Sequence, residues 1–141
     1  MKLLDTNVLV NSVNEVSLFK KQAAKWLEKA FDSETRVGFA WLALIGFVRV
    51  YTQRGILKTP LTPDNAVELM DSWLSHPRAS MLNPTERHGD ILAKFLSVAG
   101  TAGNMTNDAH LAALSIEHNA TMGSFDKIFK KFPDIKLYFL V

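Results

Sequence analysis

The sequence has no cysteine among its 141 residues, which excludes disulfides, thiolate zinc sites, iron–sulfur clusters and cysteine nucleophiles. It also lacks a long apolar run. The opening MKLLDTNVLV is interrupted by Asp5 and is too short for a signal peptide or a membrane span. A cytoplasmic protein with no membrane association is expected. Neither sign of charge dominates: 16 Lys and Arg against 14 Asp and Glu leave a formal net charge of +2. A bias this small neither indicates nor excludes nucleic acid. Gly100 and Gly103 are not followed by Gly-Lys-Ser/Thr, so the phosphate-cradling loop of nucleotide hydrolases is missing, and they read as a flexible lead into a helix. The four histidines, His76, His88, His110 and His118, are scattered along the chain and offer no serine–histidine–acid arrangement.

What is present fits one globular domain over residues 1–141, with 48% hydrophobic and 21% charged residues. Apolar stripes at helical spacing occur at Phe19, Ala23, Trp26, Leu27 and Ala30, at Trp41, Leu44, Ile45 and Val48, and at Ile91, Leu92, Phe95 and Ala99. Another, Ala66, Val67, Met70, Trp73 and Leu74, opens with Thr62 as N-cap and Pro63 at the first helical position. A further helix is predicted from Thr106 to His118. The breaker-rich stretch Thr52–Pro63 reads as a loop. Strand-like runs fall between the helices at Lys2–Leu4, Val37–Ala40, Ser80–Leu82, Ala120–Ser124 and Lys136–Leu140. Strands alternating with helices predict an α/β fold of three layers, α/β/α, around a central, mostly parallel sheet.

Ligands of an open parallel sheet bind beyond the carboxyl ends of its strands. Asp5 stands where the first strand should end, with Thr6 and Asn7 placed to cap the next helix, and Asp126 follows the fourth strand similarly. Asp108 lies in the first turn of the helix that leads into that strand. Such a helix runs antiparallel to the strand, so its N-terminus reaches the same edge. At about 100° per residue, Asp108 falls on the inner side with Ala112 and Ser115, with Asn104 one turn earlier. His110 and Glu117 fall on the opposite, solvent side. Three carboxylates on one edge repel one another and raise the pKa of at least one. A hard divalent cation, Mg²⁺ or Mn²⁺, relieves that repulsion and suits an all-oxygen donor set. A metal so held activates water against a phosphodiester.

The segments LLDTNVLV, GNMTNDAHLAALSIEHNAT and GSFDKIFKKFP resemble those of PIN-domain ribonucleases, and in particular the VapC toxins of bacterial toxin–antitoxin pairs. The resemblance spans the chain. It implies a Mg²⁺- or Mn²⁺-dependent endoribonuclease toxin cutting structured RNA and neutralised by a VapB-type antitoxin. Asp5, Asp108 and Asp126 match the family's acidic residues, as catalytic groups and metal ligands, and Asn7, Asn104 and Ser124 match its supporting polar ones. The chain departs from the pattern in one place. Where the family usually carries a further glutamate, the helix WLALIGFVRV has Gly46, and no Asp or Glu occurs between Trp41 and Asp64. One firmly held ion is favoured over two.

Arg49 and Lys127 are candidate contacts to RNA or to a partner. Lys127, Lys130 and Lys131 form either a local basic patch or an ordinary solvated face. Trp41, Phe47, Tyr51, Trp73 and Phe39 supply more aromatic surface than a small core requires: each is either ordinary core packing or part of a face that a homodimer mate or an antitoxin helix covers. Two other functions compete. One is a catalytically weak PIN scaffold that binds RNA or a partner without cleaving. The other is aspartyl phosphotransfer by Asp5 with Ser124 and Lys127, a chemistry that usually wants an acid where Asn7 stands.

Overall fold

Five short strands carry the architecture of the computed structural model, which describes residues 1–55, 57, 59–100 and 102–140. They are β1 (Lys2–Leu4), β2 (Val37–Phe39), β3 (Ala79–Met81), β4 (Thr121–Ser124) and β5 (Lys136–Phe139). All pair in parallel, in the order β3-β2-β1-β4-β5. Six helices cover the two faces: α1 (Thr6–Val13), α2 (Lys20–Asp32), α3 (Trp41–Thr52), α4 (Pro63–Leu74), α5 (His88–Ala99) and α6 (Thr106–Glu117). Parallel strands need crossover connections, and here helices supply them. The expected strands are all present, β3 beginning one residue early. Part of the predicted Thr52–Pro63 and Gly100–Gly103 loops, namely Ile56, Lys58 and Thr101, lies outside the described residues.

Chain order runs from β1 outward through β2 to β3, then returns to the other side of β1 for β4 and β5. The reversal lies between β1 and β4, whose register pairs Leu4 with Gly123. The loops after these two strands leave toward opposite faces and open a crevice at the sheet's carboxyl edge. The core divides accordingly. Leu4, Val8, Leu27, Val37, Phe39, Leu44 and Phe47 fill the side covered by α1 to α4. Leu3, Phe95, Leu114, Met122 and Phe129 fill the side covered by α5 and α6. Burying a phenylalanine such as Phe47 or Phe95 contributes about 2–3 kcal/mol.

Local chemistry sets the helix ends. Thr62 Oγ1 accepts the Asn65 N–H at 3.2 Å and Pro63 occupies the first turn of α4, as predicted. The α1 N-cap is Asp5 itself, not Thr6 or Asn7: its carboxylate accepts the Thr6 N–H at 2.7 Å. The apolar face of α3 also differs from the expected stripe. Ala43, Leu44, Phe47 and Tyr51 are buried, while Trp41 is 47% and Ile45 62% exposed. A helix this uniformly apolar has a weak amphipathic signal, so contact with α1 and α4, not periodicity, sets its inward face. Of the aromatics assigned to a possible partner surface, Phe39, Phe47, Tyr51 and Trp73 are core and Trp41 alone is open.

His110 and Glu117 do not face solvent. They pack toward α5, whose first residue is His88. His88 Nδ1 lies 2.5 Å from Glu117 Oε2, and His88 Nε2 lies 2.9 Å from His110 Nδ1. Glu117 Oε1 accepts both the N–H and the hydroxyl of Thr85, each at 2.7 Å. Its side chain has no exposed surface. Although burial opposes ionisation, His88 and Thr85 together hold the Glu117 carboxyl below its usual range. Two of the four histidines thus join in one chain, His88 meeting this carboxylate and His110 meeting His88, and His118 Nε2 lies 2.8 Å from the Asn83 carbonyl. Glu117→Ala leaves two Thr85 donors and His88 without their acceptor. It should lower unfolding stability by about 2–3 kcal/mol in urea denaturation at neutral pH.

Candidate active site

The loops after β1 and β4 meet through one hydroxyl. Ser124, the last residue of β4 and fully buried, donates from Oγ to Asp5 Oδ2 at 2.6 Å. The same oxygen accepts the Asn7 Nδ2–H at 3.2 Å and the Asp126 backbone N–H at 2.9 Å. Asn7 Oδ1 in turn accepts the Phe125 N–H at 3.2 Å. The Asp5 N–H donates to the Gly123 carbonyl at 3.1 Å, continuing the ladder past the end of β1. Asp126 caps the next turn, Lys127–Lys131, accepting the Ile128 N–H at 2.9 Å.

Asp5, Asp108 and Asp126 line a single cleft of about 490 Å³, with Asn7, Asn104 and Arg49. Asp108 arrives from the first turn of α6. Thr6 and Asn11 from α1 and Asn107 from α6 add polar lining that the sequence reading missed. Asn11 was legible: it stands four residues after Asn7, on the same helix face, and its Nδ2 donates to the Asn7 carbonyl at 2.7 Å. Lys127 does not line the cleft; its ammonium lies 6.0 Å from the centre of the Phe139 ring. The opposite wall is the open side of α3, including Leu42, Ile45, Gly46 and Val50.

Arg49 is the one cation among the lining side chains, against three carboxylates. Burial pushes the Asp5 carboxyl up, outweighing the Ser124 and Thr6 hydrogen bonds that lower it, and the nearby Asp126 charge adds to the rise. Asp108 is pushed up to about 6, first by burial and then by the charges of Asp5 and Asp126. The donor set suits a hard cation: every candidate ligand is oxygen. Among the described residues, no three carboxylate or imidazole groups stand close enough to form a closed metal cage. The carboxylates share a cleft and feel one another's charge, and side-chain rotation would have to draw them onto an ion.

Gly46 explains why α3 brings no acid of its own. A Cβ there would meet Thr6 Oγ1 at 2.8 Å and Thr6 Cγ2 at 3.1 Å. Thr6 is held in place, its hydroxyl donating to the Ala43 carbonyl at 3.2 Å. The close approach of α1 and α3 fills the space that a side chain at 46 would need.

A family model for the PIN domain matches residues 2–135. The chain belongs to the PIN-domain family. Among curated PIN relatives, Ribonuclease VapC37 of Mycobacterium tuberculosis is 44% identical over 136 residues, covering 96% of this chain and 94% of the relative. Ribonuclease VapC33 of the same species is 35% identical over 136 residues, covering 96% and 95%. These identities place the chain with the VapC branch of the family. The fold of a solved VapBC2 complex from Rickettsia felis, bound to a DNA fragment from its promoter, superposes with a TM-score of 0.72. Its identity is 19%, and 99% of this chain and 98% of that chain are covered.

Two measurements test this PIN cleft. A carboxyl that titrates higher in the folded chain keeps its proton where the unfolded chain has lost it. The Asp108 contribution to metal-free stability therefore falls as pH rises from 3.8 to about 6 and stays reduced above. Asp108→Asn should raise the metal-free melting temperature at pH 7.5 by a few degrees, on the order of 1 kcal/mol. The advantage should vanish below pH 4, a crossover that melting curves in EDTA across this range will show. Gly46→Ala should destabilise by about 1–3 kcal/mol through overpacking, with Thr6→Ala in the same chain recovering most of the loss in calorimetry.

Proposed function

We propose that the chain is a divalent-metal-dependent endoribonuclease, the toxin of a type II toxin–antitoxin pair. The observation that carries this reading is the convergence of Asp5, Asp108 and Asp126 on one cleft where strand order reverses, in a chain whose curated relatives are named ribonucleases. These three carboxylates would hold Mg²⁺ or Mn²⁺. A metal held there supplies a water of lowered pKa and charge neutralisation at the phosphate.

The chain's own groups divide the remaining work. Ser124 and the Thr6 N–H fix both oxygens of Asp5, so this carboxylate is oriented before any ligand arrives. Asp126 is oriented by its cap to Ile128. Asp108, whose carboxyl burial and the Asp5 and Asp126 charges push up to about 6 when no cation is bound, gains most from a cation held between them. Asn7 and Asn104 present amides to the cleft, and Arg49 presents a guanidinium suited to a phosphate oxygen. With three acids and no room for a fourth at Gly46, a single ion is the natural occupancy.

A VapB-type antitoxin is the proposed protein partner. Trp41 and the cleft-lining Ile45, both exposed on α3, are the kind of apolar surface such a partner covers. One observation favours a second reading, a PIN scaffold that binds RNA without cutting it: α3 contributes no carboxylate to the cleft. The two readings part on a single assay of purified protein with total RNA. Cleavage should require Mg²⁺ or Mn²⁺, stop with EDTA, and fall at least about 100-fold in Asp5→Asn and Asp108→Asn, in line with the loss of a metal-held water nucleophile. Equal cleavage by wild type and both variants would sink the nuclease assignment, whereas RNA binding with no cleavage even in Mg²⁺ or Mn²⁺ selects the scaffold.

A further inference from the structure

Away from the cleft, a second groove runs between α2 and the edge strand β5. Its upper part, about 230 Å³, is lined by Gln22, Lys25, Trp26, Lys29, Tyr138, Phe139 and Leu140. Its lower part, about 240 Å³, shares Trp26, Lys29 and Tyr138 and adds Lys2 and Thr121. Among the described residues, no carboxylate lines either part. In a chain with nearly balanced charge, a groove flanked by three lysines and no acid is a concentrated positive strip.

The floor of the groove is aromatic. Tyr138 stacks on Trp26 with ring centroids 5.7 Å apart and an interplanar angle of 30°. Trp26 is buried, yet Tyr138 is 52% exposed. One face of the phenol ring is therefore backed by indole and the other is open. Gly123 makes this platform possible: a Cβ there would meet Trp26 Cη2 at 2.3 Å, so the indole lies directly against the β4 backbone. Lys25 and Lys29 stand one helical turn apart, about 6 Å along the axis, and line the groove with Trp26. An exposed, rigidly backed aromatic ring in a groove with cations is an arrangement that binds unpaired nucleotides, the base stacking on the ring and the phosphates meeting the ammonium groups.

Groove and cleft are built on the same paired strands, β4 and β5. Leu140, which lines its upper part, donates its N–H to the Ser124 carbonyl at 3.0 Å, and the Ser124 hydroxyl holds Asp5. We propose that the α2–β5 groove is a second RNA-contact surface that holds an unpaired stretch of substrate. Tyr138 stacks a base there, and Lys25 and Lys29 neutralise phosphates. The inference rests on the ribonuclease reading above, and it extends the substrate footprint beyond the three aspartates.

Fluorescence anisotropy in EDTA, with a labelled unpaired RNA of about 20 nucleotides, measures the groove without cleavage. Tyr138→Ala should weaken binding about tenfold, while Tyr138→Phe, which keeps the ring, should bind as wild type. The double variant Lys25→Glu, Lys29→Glu should weaken binding more than tenfold. Its log affinity against log salt should be shallower by about 1.4, two phosphates' worth. A hexamer that fills only the cleft should be cleaved at wild-type rate by every variant in Mg²⁺. Unchanged binding of the long RNA overturns the proposal. So does a parallel loss on long and short RNA, which would mark a folding defect. Retained RNA binding with lost binding of an acidic protein partner also overturns it and assigns the groove to protein. A wild type that binds the long RNA through the groove but never cuts the hexamer supports the groove and defeats the nuclease reading alone.

Discussion

A buried carboxylate at the end of a central strand is a liability that the rest of the molecule is arranged around. Asp5 is 8% exposed, and desolvation raises its pKa despite two short hydrogen bonds. Leaving it ionised requires donors, and the donors come from elements distant in sequence: the α1 backbone, and Ser124 at the end of β4. The second contact requires β1 and β4 to be neighbours with Leu4 opposite Gly123. Strand order, register and the position of the cleft are therefore one constraint. A one-residue slip would turn Ser124 to the other face of the sheet and leave the carboxylate unpaired in the interior, a far larger penalty than the loss of a single neutral hydrogen bond.

The acidic trio was legible in the sequence because it depends on topology alone. Two strand ends and one antiparallel helix start must share an edge in any parallel α/β sheet, whatever the strand order, and Asp5, Asp126 and Asp108 occupy those positions. The order itself was not legible. Nothing local in three- or four-residue strands says which neighbours they choose. Where the reading failed, periodicity was asked to do what only packing does. In WLALIGFVRV nearly every residue is apolar, so several faces were equally plausible, and the one turned inward is set by the approach to Thr6 at Gly46. Glu117 was placed in solvent because it is charged, yet a carboxylate with three donors is at home in the interior. Those donors come from Thr85 and His88, about thirty residues away in sequence, and no helical wheel can supply them.

The cleft is asymmetric in a way that bears on its chemistry. One side carries the carboxylates and amides of α1, α6 and the turn after β4, and the other is the mainly apolar flank of α3 with Arg49. Acidity and raised pKa values concentrate on the first side, and the facing helix sets only the Arg49 guanidinium against them.

The clamp at the far end of α6 has a mechanical consequence. Glu117 and Asp108 are nine residues apart on one helix, about 13 Å along its axis. The Glu117 end is bolted through His88 and Thr85 to the start of α5. A helix fixed at one end behaves as a stiff cantilever, so whatever draws Asp108 toward its fellow carboxylates must come mostly from rotation of the aspartate side chain and little from displacement of the backbone. The grip on any occupant is thus tuned partly from the opposite edge of the sheet, by residues that never touch it.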